Sequence, residues 1–506
     1  MHNQTLMSAS PLPSFVGGAA FVGSGSYQVV DPHDTSKVLH TVSSVTLEDV
    51  PKVIAAAAAA APAWKATSVL ERRKIFLKAA SLLRERIAEY AAVEYSETTS
   101  SKGWSGFEMT LAAESIEETA AAATVALRGE IATTDHSQNA YIIRCPFGVV
   151  FGMAPWNAPT VLGQRACTQP IMAGNTAILK TSEMSPKTQM LLAEIFADAG
   201  LPTGVLNIIH VAPKDAPAVV DAIIAHPAVG KINFTGSTRV GSLVASMCGK
   251  HLKPVVLELG GKAPAVICAD ADLKHAVQGV MFGGWFHSFV HISTPRCLTF
   301  AKTKYFLRGQ VCMATQTAIV HESIVDEFLS LVTAHAPNVR ASGDSTDEGA
   351  SLRGLFTEAS ATRVKEIVAD ALGKGAKVAA GSADVKDNVV QPLLLSGVTS
   401  DMQIYKEEMF APVFSVLTFK TEEEAVFIAN DHDYGLAASV WTADITAGMR
   451  ISNGINAGMV HINGKIRNGT CAQMPHGHGR FNGIEGIREF TQTKVITVNQ
   501  PHPYPI

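Results

Sequence analysis

From residue 47 to 128 the apolar positions recur at helical spacing, with few turn formers between them, and the pattern predicts mostly helices. Residues 55–61 and 71–92 have high helix propensity, and the second stretch carries a mixed charged face. From Arg144 onward the texture changes to short apolar runs alternating with helical patterns. FGVVFGMAP (147–155), TAILK (176–180), GVLNIIH (204–210), VGKINF (229–234) and PVVLEL (254–259) read as strands. Helical segments lie between them at 185–200, near 214–225 and from about 238. In the first of these Ser185 is placed to N-cap, Pro186 fits the first helical position and Gly200 fits just past the end. Such alternation predicts a parallel sheet covered by helices on both faces.

The second half repeats the style, with helical patterns near 272–286, 323–335, 359–373 and 421–430 and strand-like runs at 317–321, 389–397, 412–419 and 436–441. Two α/β domains are therefore expected, and no solenoid repeat is visible. NAYIIRC (139–145) and REFTQTKVITV (488–498) stand outside the alternation and are expected to form a small separate sheet. The Ala-rich run at 53–63 is too short to span a bilayer and is interrupted by Pro62, so it reads as a packed helix.

Composition narrows the class. The chain has 506 residues, 47% of them apolar, enough for a large core. Its 41 Lys and Arg against 45 Asp and Glu give a net charge of −4, which argues against a nucleic-acid binder. The seven Cys follow no metal spacing and read as a reduced intracellular set. MHNQTLMSASPLPS lacks a basic n-region and an apolar h-region, so no secretory signal is expected. The expectation is a cytoplasmic protein with no metal site and no nucleic-acid or membrane partner.

Four segments carry candidate chemistry. FTGSTRVG (234–241) places Gly236 and Gly241 at a strand-to-helix junction, where free backbone N–H groups suit a pyrophosphate. Many β-α turns need Gly for conformation alone, and the spacing is not G-x-G-x-x-G. LELGGKAP (257–264) puts Glu258 at the end of an apolar strand, as a general base or as a capping or salt-bridged carboxylate. GQVCMAT (309–315) holds Cys312, a nucleophile if some cation, helix end or base activates it and otherwise an inert buried thiol. APWNAP (154–159) holds Asn157, an oxyanion donor or a turn residue.

Taken together and in order, APWN (154–157), K-x-S-E (180–183), FTGSTRVG, LELGGK (257–262), GQVC (309–312) and E-x-F-x-P (408–412) resemble the NAD(P)-dependent aldehyde dehydrogenase superfamily, from about residue 25 to 498. The resemblance implies an α/β fold of two parallel-sheet domains plus a small oligomerisation sheet. It assigns 1–138 and 151–258 to an NAD-binding domain, 259–460 to a catalytic domain, and 139–150 with 484–500 to oligomerisation strands. It implies that Cys312 attacks the aldehyde carbon, that Asn157 and the Cys312 backbone N–H hold the oxyanion, and that Glu258 activates water to cleave the thioester. It places Lys180 and Glu183 at the adenosine ribose, Gly236, Ser237 and Gly241 beneath the pyrophosphate, and Trp156, Glu408 and Phe410 also at the cofactor. A carboxylate at 183 would repel a 2′-phosphate, so NAD is expected over NADP. VVFGMAPWNAPTVLGQRA, LGGKAPAV, GQVCMAT and HINGK…QMPHG are most similar to the branch acting on vanillin, salicylaldehyde and benzaldehyde. An aromatic aldehyde substrate and a homodimer or homotetramer are the resulting expectations.

Two departures stand out. GGWFHS (283–288) runs directly into GQVC in the family, whereas here the 20-residue segment FVHISTPRCLTFAKTKYFLR (289–308) separates them. It reads as a real loop or a retained intron in a gene model, and the second is favoured. It is expected to form an irregular excursion and to leave little or no dehydrogenase activity, since a small misplacement of the thiol is costly. The alternative functions are then a catalytically impaired NAD-binding homologue, or a thiol esterase using the same Cys. QMPHGHGRFNG (473–483) is also shorter than the family's Gly-rich segment, which helps wall the substrate site.

Overall fold

The computed structural model describes residues 10–32, 34–135, 138–286, 309–344, 347, 349–464 and 477–499. Its largest sheet has eight strands, in the order Ala19–Phe21, Ser14–Val16, Leu206–Ile209, Thr176–Lys180, Val149–Met153, Val229–Thr235, Val255–Glu258 and Gly477–His478. The five central strands are parallel, and the flanking strands Ser14–Val16 and Gly477–His478 are antiparallel to them. Each central strand is an apolar run because helices cover both faces. One face packs on Met109, Ile116, Ile171 and Phe196, the other on Val53, Ile54, Ile223 and Val244.

The second sheet has seven strands, in the order Lys377–Gly381, Leu393–Ser396, Val413–Phe419, Thr315–His321, Ala263–Ile267, Ala437–Trp441 and Met459–Ile462. All but the first pair in parallel. Leu259–Lys262 is the connection between the two sheets, running from the end of Glu258's strand to the start of Ala263's. A third sheet joins Thr491–Asn499, Gln138–Pro146 and Glu130–Asp135, all antiparallel. The two strands expected outside the alternation do pair with each other, and Glu130–Asp135 joins them as a third that the sequence pattern does not show. The fold is thus the expected one, two parallel-sheet α/β units and a small extra sheet.

The Ala-rich run lies in the expected packed helix, Val50–Ala66, with Pro62 inside it. Pro62 lies on the exposed face, where water can take over the carbonyl its ring leaves unpaired. Ser185 precedes the helix Pro186–Ala199 but makes no capping bond. The buried Glu97 carboxylate does that work instead, accepting from the N–H groups of Lys187 (3.0 Å) and Thr188 (2.7 Å). A full negative charge satisfies two orphan donors where a hydroxyl satisfies one. Gly200 does end this helix, at φ 94°. No single described helix is long and apolar enough to cross a membrane.

Candidate active site

Parallel strands deliver their C-terminal connections to one edge, and in the first sheet that edge carries Asn157, Lys180, Gly236 and Glu258, while Cys312 and Glu408 lie on loops leading into second-sheet strands. Val149–Met153 leads through Ala154–Asn157 into the helix Pro159–Met172, all of whose residues are buried. The helix start is fixed by Glu108, whose Oε1 accepts from the N–H groups of Thr160 (2.8 Å) and Val161 (2.9 Å). Burial pushes the Glu108 carboxyl up to about 7, and it raises the neighbouring Glu94 as well. Asn157 Nδ2 donates to the Gln310 carbonyl at 3.1 Å, tying this turn to the loop that carries Cys312.

Cys312 lies half-buried on that loop, with Sγ 3.8 Å from Glu258 Oε1. Burial and the nearby Glu408 charge push its thiol up to about 12, against the pull of the Arg165 guanidinium. The thiol is therefore neutral at pH 7 in the ligand-free protein. Glu258 ends its strand with its side chain almost wholly buried and makes an ion pair through Oε2 with Arg165 Nη2. The salt-bridged reading of Glu258 holds for one oxygen, and the other faces the thiol.

The residues expected at a dinucleotide line the same edge and the same loops. Lys180 Nζ, at the end of its strand, is 3.7 Å from Glu183 Oε2. Gly236 comes directly after Val229–Thr235, and Ser237 caps the helix Thr238–Lys250 by accepting from the Val240 N–H at 3.4 Å, with Ser237 and the first helical turn exposed. Gly241 is buried where a Cβ would strike Leu259. Glu408 Oε1 accepts from the Gly261 N–H at 3.0 Å, and burial raises its carboxyl to about 7. The Trp156 ring lies 4.2 Å from that of Phe356 and 6.0 Å, edge-on, from that of Phe410, which sits at φ 51°. An exposed helix start behind a Gly turn, a Lys–Glu pair two strands away and a carboxylate near the thiol fit an extended dinucleotide lying across the strand ends.

Three groups have no role in the sequence reading. Arg165 stands there only as a letter of a motif, although it is the one charge on an otherwise uncharged helix and that isolation is a readable signal. Gln310 joins the two halves of the site: its carbonyl accepts from Asn157, and its Oε1 accepts from the Phe356 N–H at 3.2 Å. Trp104 packs with Ala263, Val311, Met313, Leu436 and Met459 around Cys312, and its Nε1 donates to Glu108 Oε2 at 3.0 Å. No pattern in the chain places Trp104 near Cys312.

The segment 289–308 and residues 473–476 lie outside the described residues. The described residues on either side lie close together. A Cβ on Gly309 would come within 3.0 Å of the Gly284 carbonyl oxygen, so the chain resumes beside the place it left.

The chain matches the aldehyde dehydrogenase family model over residues 21–288 and 297–496, and 289–296, between them, belongs to the surplus segment. It is 40% identical to a vanillin dehydrogenase of a Pseudomonas species over 480 residues, covering 93% of this chain and 94% of that one. It is 34% identical to a benzaldehyde dehydrogenase of Pseudomonas putida over 491 residues, covering 95% of each. The crystal structure of a salicylaldehyde dehydrogenase from Pseudomonas putida G7 complexed with salicylaldehyde superposes with a TM-score of 0.90 at 33% identity, covering 98% of this chain and 99% of that one.

Proposed function

The chain belongs to the aldehyde dehydrogenase family, and from that premise we propose that it oxidises an aromatic aldehyde to the carboxylic acid, with NAD as its preferred cofactor and Cys312, Glu258 and Asn157 as its catalytic residues. The observation that carries this reading is the convergence at one edge of a thiol, a carboxylate 3.8 Å from it and an amide bonded to the thiol's own loop. Cys312 adds to the aldehyde carbon, its proton passing to solvent as the C–S bond forms. An alkoxide develops on the substrate oxygen, where the second Nδ2 hydrogen of Asn157 and the Cys312 backbone N–H are available as donors. The bound nicotinamide supplies the hydride acceptor, and the protein supplies position and electrostatics. Glu258 Oε1 then takes a proton from the water that cleaves the thioester.

The cofactor residues proposed are Trp156, Lys180, Glu183, Gly236, Ser237, Gly241, Glu408 and Phe410. The Glu183 carboxylate beside Lys180 supports NAD over NADP, because ribose hydroxyls donate to it and a 2′-phosphate would be repelled. Trp104, Val311, Met313 and Met459 around Cys312 give an apolar surface suited to a ring, and relatives named for aromatic aldehydes support the same substrate class. Val495, Ile496 and Val498 are exposed on the strand Thr491–Asn499, beside exposed Ile131 and Tyr141. Covering them in a homodimer or a dimer of dimers removes a sticky sheet. The thiol-esterase and impaired-homologue alternatives are not favoured.

The test is NADH production with benzaldehyde-type substrates. Cys312→Ser is expected to lose several orders of magnitude of turnover while still binding cofactor. Glu258→Gln is expected to give a burst of NADH and then a slow phase. A Cys312→Ser enzyme that kept most of its turnover would overturn the assignment.

A further inference from the structure

Every residue of the helix Pro159–Met172 is buried, and Arg165 is its only charged one. Burying a guanidinium is costly unless a partner compensates it. Arg165 has three neighbours that do so. Nη2 is ion-paired with Glu258 Oε2 and donates to Thr235 Oγ1 at 3.1 Å, and the guanidinium carbon lies 4.3 Å from the centre of the Phe481 ring.

The direction of the ion pair matters more than its existence. With Oε2 held by Arg165, Oε1 is the oxygen left for Cys312 Sγ. A carboxylate at a strand end swings freely about two side-chain bonds unless something holds it, and no other charged group is hydrogen-bonded to Glu258 among the described residues. Two further nitrogens of Arg165, Nε and Nη1, have no hydrogen-bond partner among the described residues. A side chain kept only for structure would have its donors satisfied. This one carries spare donors beside the reacting groups and spends its paired nitrogen on the base.

We infer that Arg165 is the positioning residue of thioester hydrolysis: it pins one oxygen of Glu258 so that the other addresses the acyl group on Cys312, and it is the counter-charge that keeps a carboxylate there. The inference rests on the proposed roles of Cys312 and Glu258. In the step it serves, the water oxygen bonds to the acyl carbon and one water proton passes to Glu258 Oε1. The C–S bond then breaks, its electron pair returns to sulfur, Glu258 gives that proton to the thiolate, and the acid product loses its own proton to solvent. In the proposed cycle the thiol proton leaves to solvent as the thioester forms, so Arg165 should act chiefly on the second half.

The experiment is stopped-flow NADH formation with benzaldehyde and NAD in wild type, Arg165→Met, Arg165→Lys and Glu258→Gln, with mass spectrometry of acid-quenched samples for acyl-Cys312. Arg165→Met is expected to keep the burst, to lose about 100-fold in the steady phase and to accumulate the acyl adduct. Arg165→Lys, which restores the charge without the fork, should recover about tenfold of that loss. If Arg165→Met does not fold, Phe481→Leu decides, since it loosens the guanidinium and leaves the ion pair. Its steady phase should fall about threefold with the burst intact, and an unchanged steady phase overturns the inference. An Arg165→Met enzyme that loses burst and steady phase in equal measure, or neither, overturns it too, as does a Lys variant no better than Met. The Glu258→Gln arm separates the two levels. If it shows burst and slow phase while Arg165→Met does not, only the inference about Arg165 fails. If Glu258→Gln shows neither, the role of Glu258 fails first.

Discussion

Gly261 is the position where one added methyl group should cost the most activity for the least stability. It lies on the connection between the two sheets, donates to Glu408 Oε1 at 3.0 Å and accepts from Gln316 Nε2 at 3.2 Å. A Cβ built there would fall on the Cys312 carbonyl oxygen, 3.2 Å from its carbon and 3.5 Å from Leu436 Cδ2. The obstacle is a planar peptide, which cannot rotate aside as a side-chain end can. The Cys312 loop has little room to retreat. Asn157 holds the Gln310 carbonyl, Gln310 Oε1 holds the Phe356 N–H, and the Ala314 N–H is bonded to the Val311 carbonyl. Relieving the overlap therefore moves the thiol by about 1 Å, a displacement that can cost about 100-fold in turnover. The cost to the fold is that of overpacking, about 1–3 kcal/mol, well within the stability of an ordinary domain. Gly260→Ala is the matched control, because its Cβ meets the end of the Glu408 side chain and leaves Cys312 alone. Steady-state kinetics with benzaldehyde should show kcat reduced in Gly261→Ala, and Gly260→Ala should act mainly on the KM for cofactor. Thermal denaturation checks that both are folded. A folded Gly261→Ala enzyme with kcat within threefold of wild type would refute the reasoning.

Three other outcomes are expected. Because the Cys312 thiol is held up to about 12, iodoacetamide labelling of that residue in the ligand-free enzyme should rise about tenfold per unit from about pH 7 to pH 10; a plateau below pH 8 on mass-spectrometric peptide analysis would show the thiol is already ionised. Deleting 289–308 should leave the fold and keep activity within about threefold, since Gly309 already meets Gly284 and changing a loop's length costs little; NADH assays of the two forms side by side decide it, and a deletion variant much more active than the full chain would reinstate the impaired reading. Glu97→Ala should cost about 2 kcal/mol by urea denaturation, through loss of the cap on the helix Pro186–Ala199; an unchanged midpoint would return the capping role to Ser185.

Local order was legible wherever the pattern repeats over short range. The alternation of TAILK, the helix after it and LNII gave away the parallel sheet, because a strand buried on both faces must be apolar throughout. Gly200 was readable because a left-handed residue ends the helix there. Contacts between distant segments were not readable. Arg165 and Glu258 stand 93 positions apart, and Glu97 caps a helix 90 positions away. A charged residue inside an apolar helix announces that it needs a partner but not which one. Long-range contacts also bear on the harm expected from 289–308. Distance along the chain is not distance from the site: the Cys312 loop is held by Asn157, Phe356 and the connection at Gly261, none of which passes through that segment.

The chain visits Glu258 twice, the second time from its far end. Gly477 and His478 pair with Glu258 and Leu257, Phe481 covers Arg165, and the Phe490 carbonyl accepts from Asn175 immediately before the strand Thr491–Asn499 begins. The exposed apolar strand and the seat of Glu258 are thus two ends of one short tether. Whatever docks on that strand in its ordered form stabilises the tether by mass action, and by reciprocity a ligand that tightens Glu258 and Arg165 strengthens the docking. For the proposed homo-oligomer, dilution is expected to change the proposed acyl-release step before it unfolds the chain.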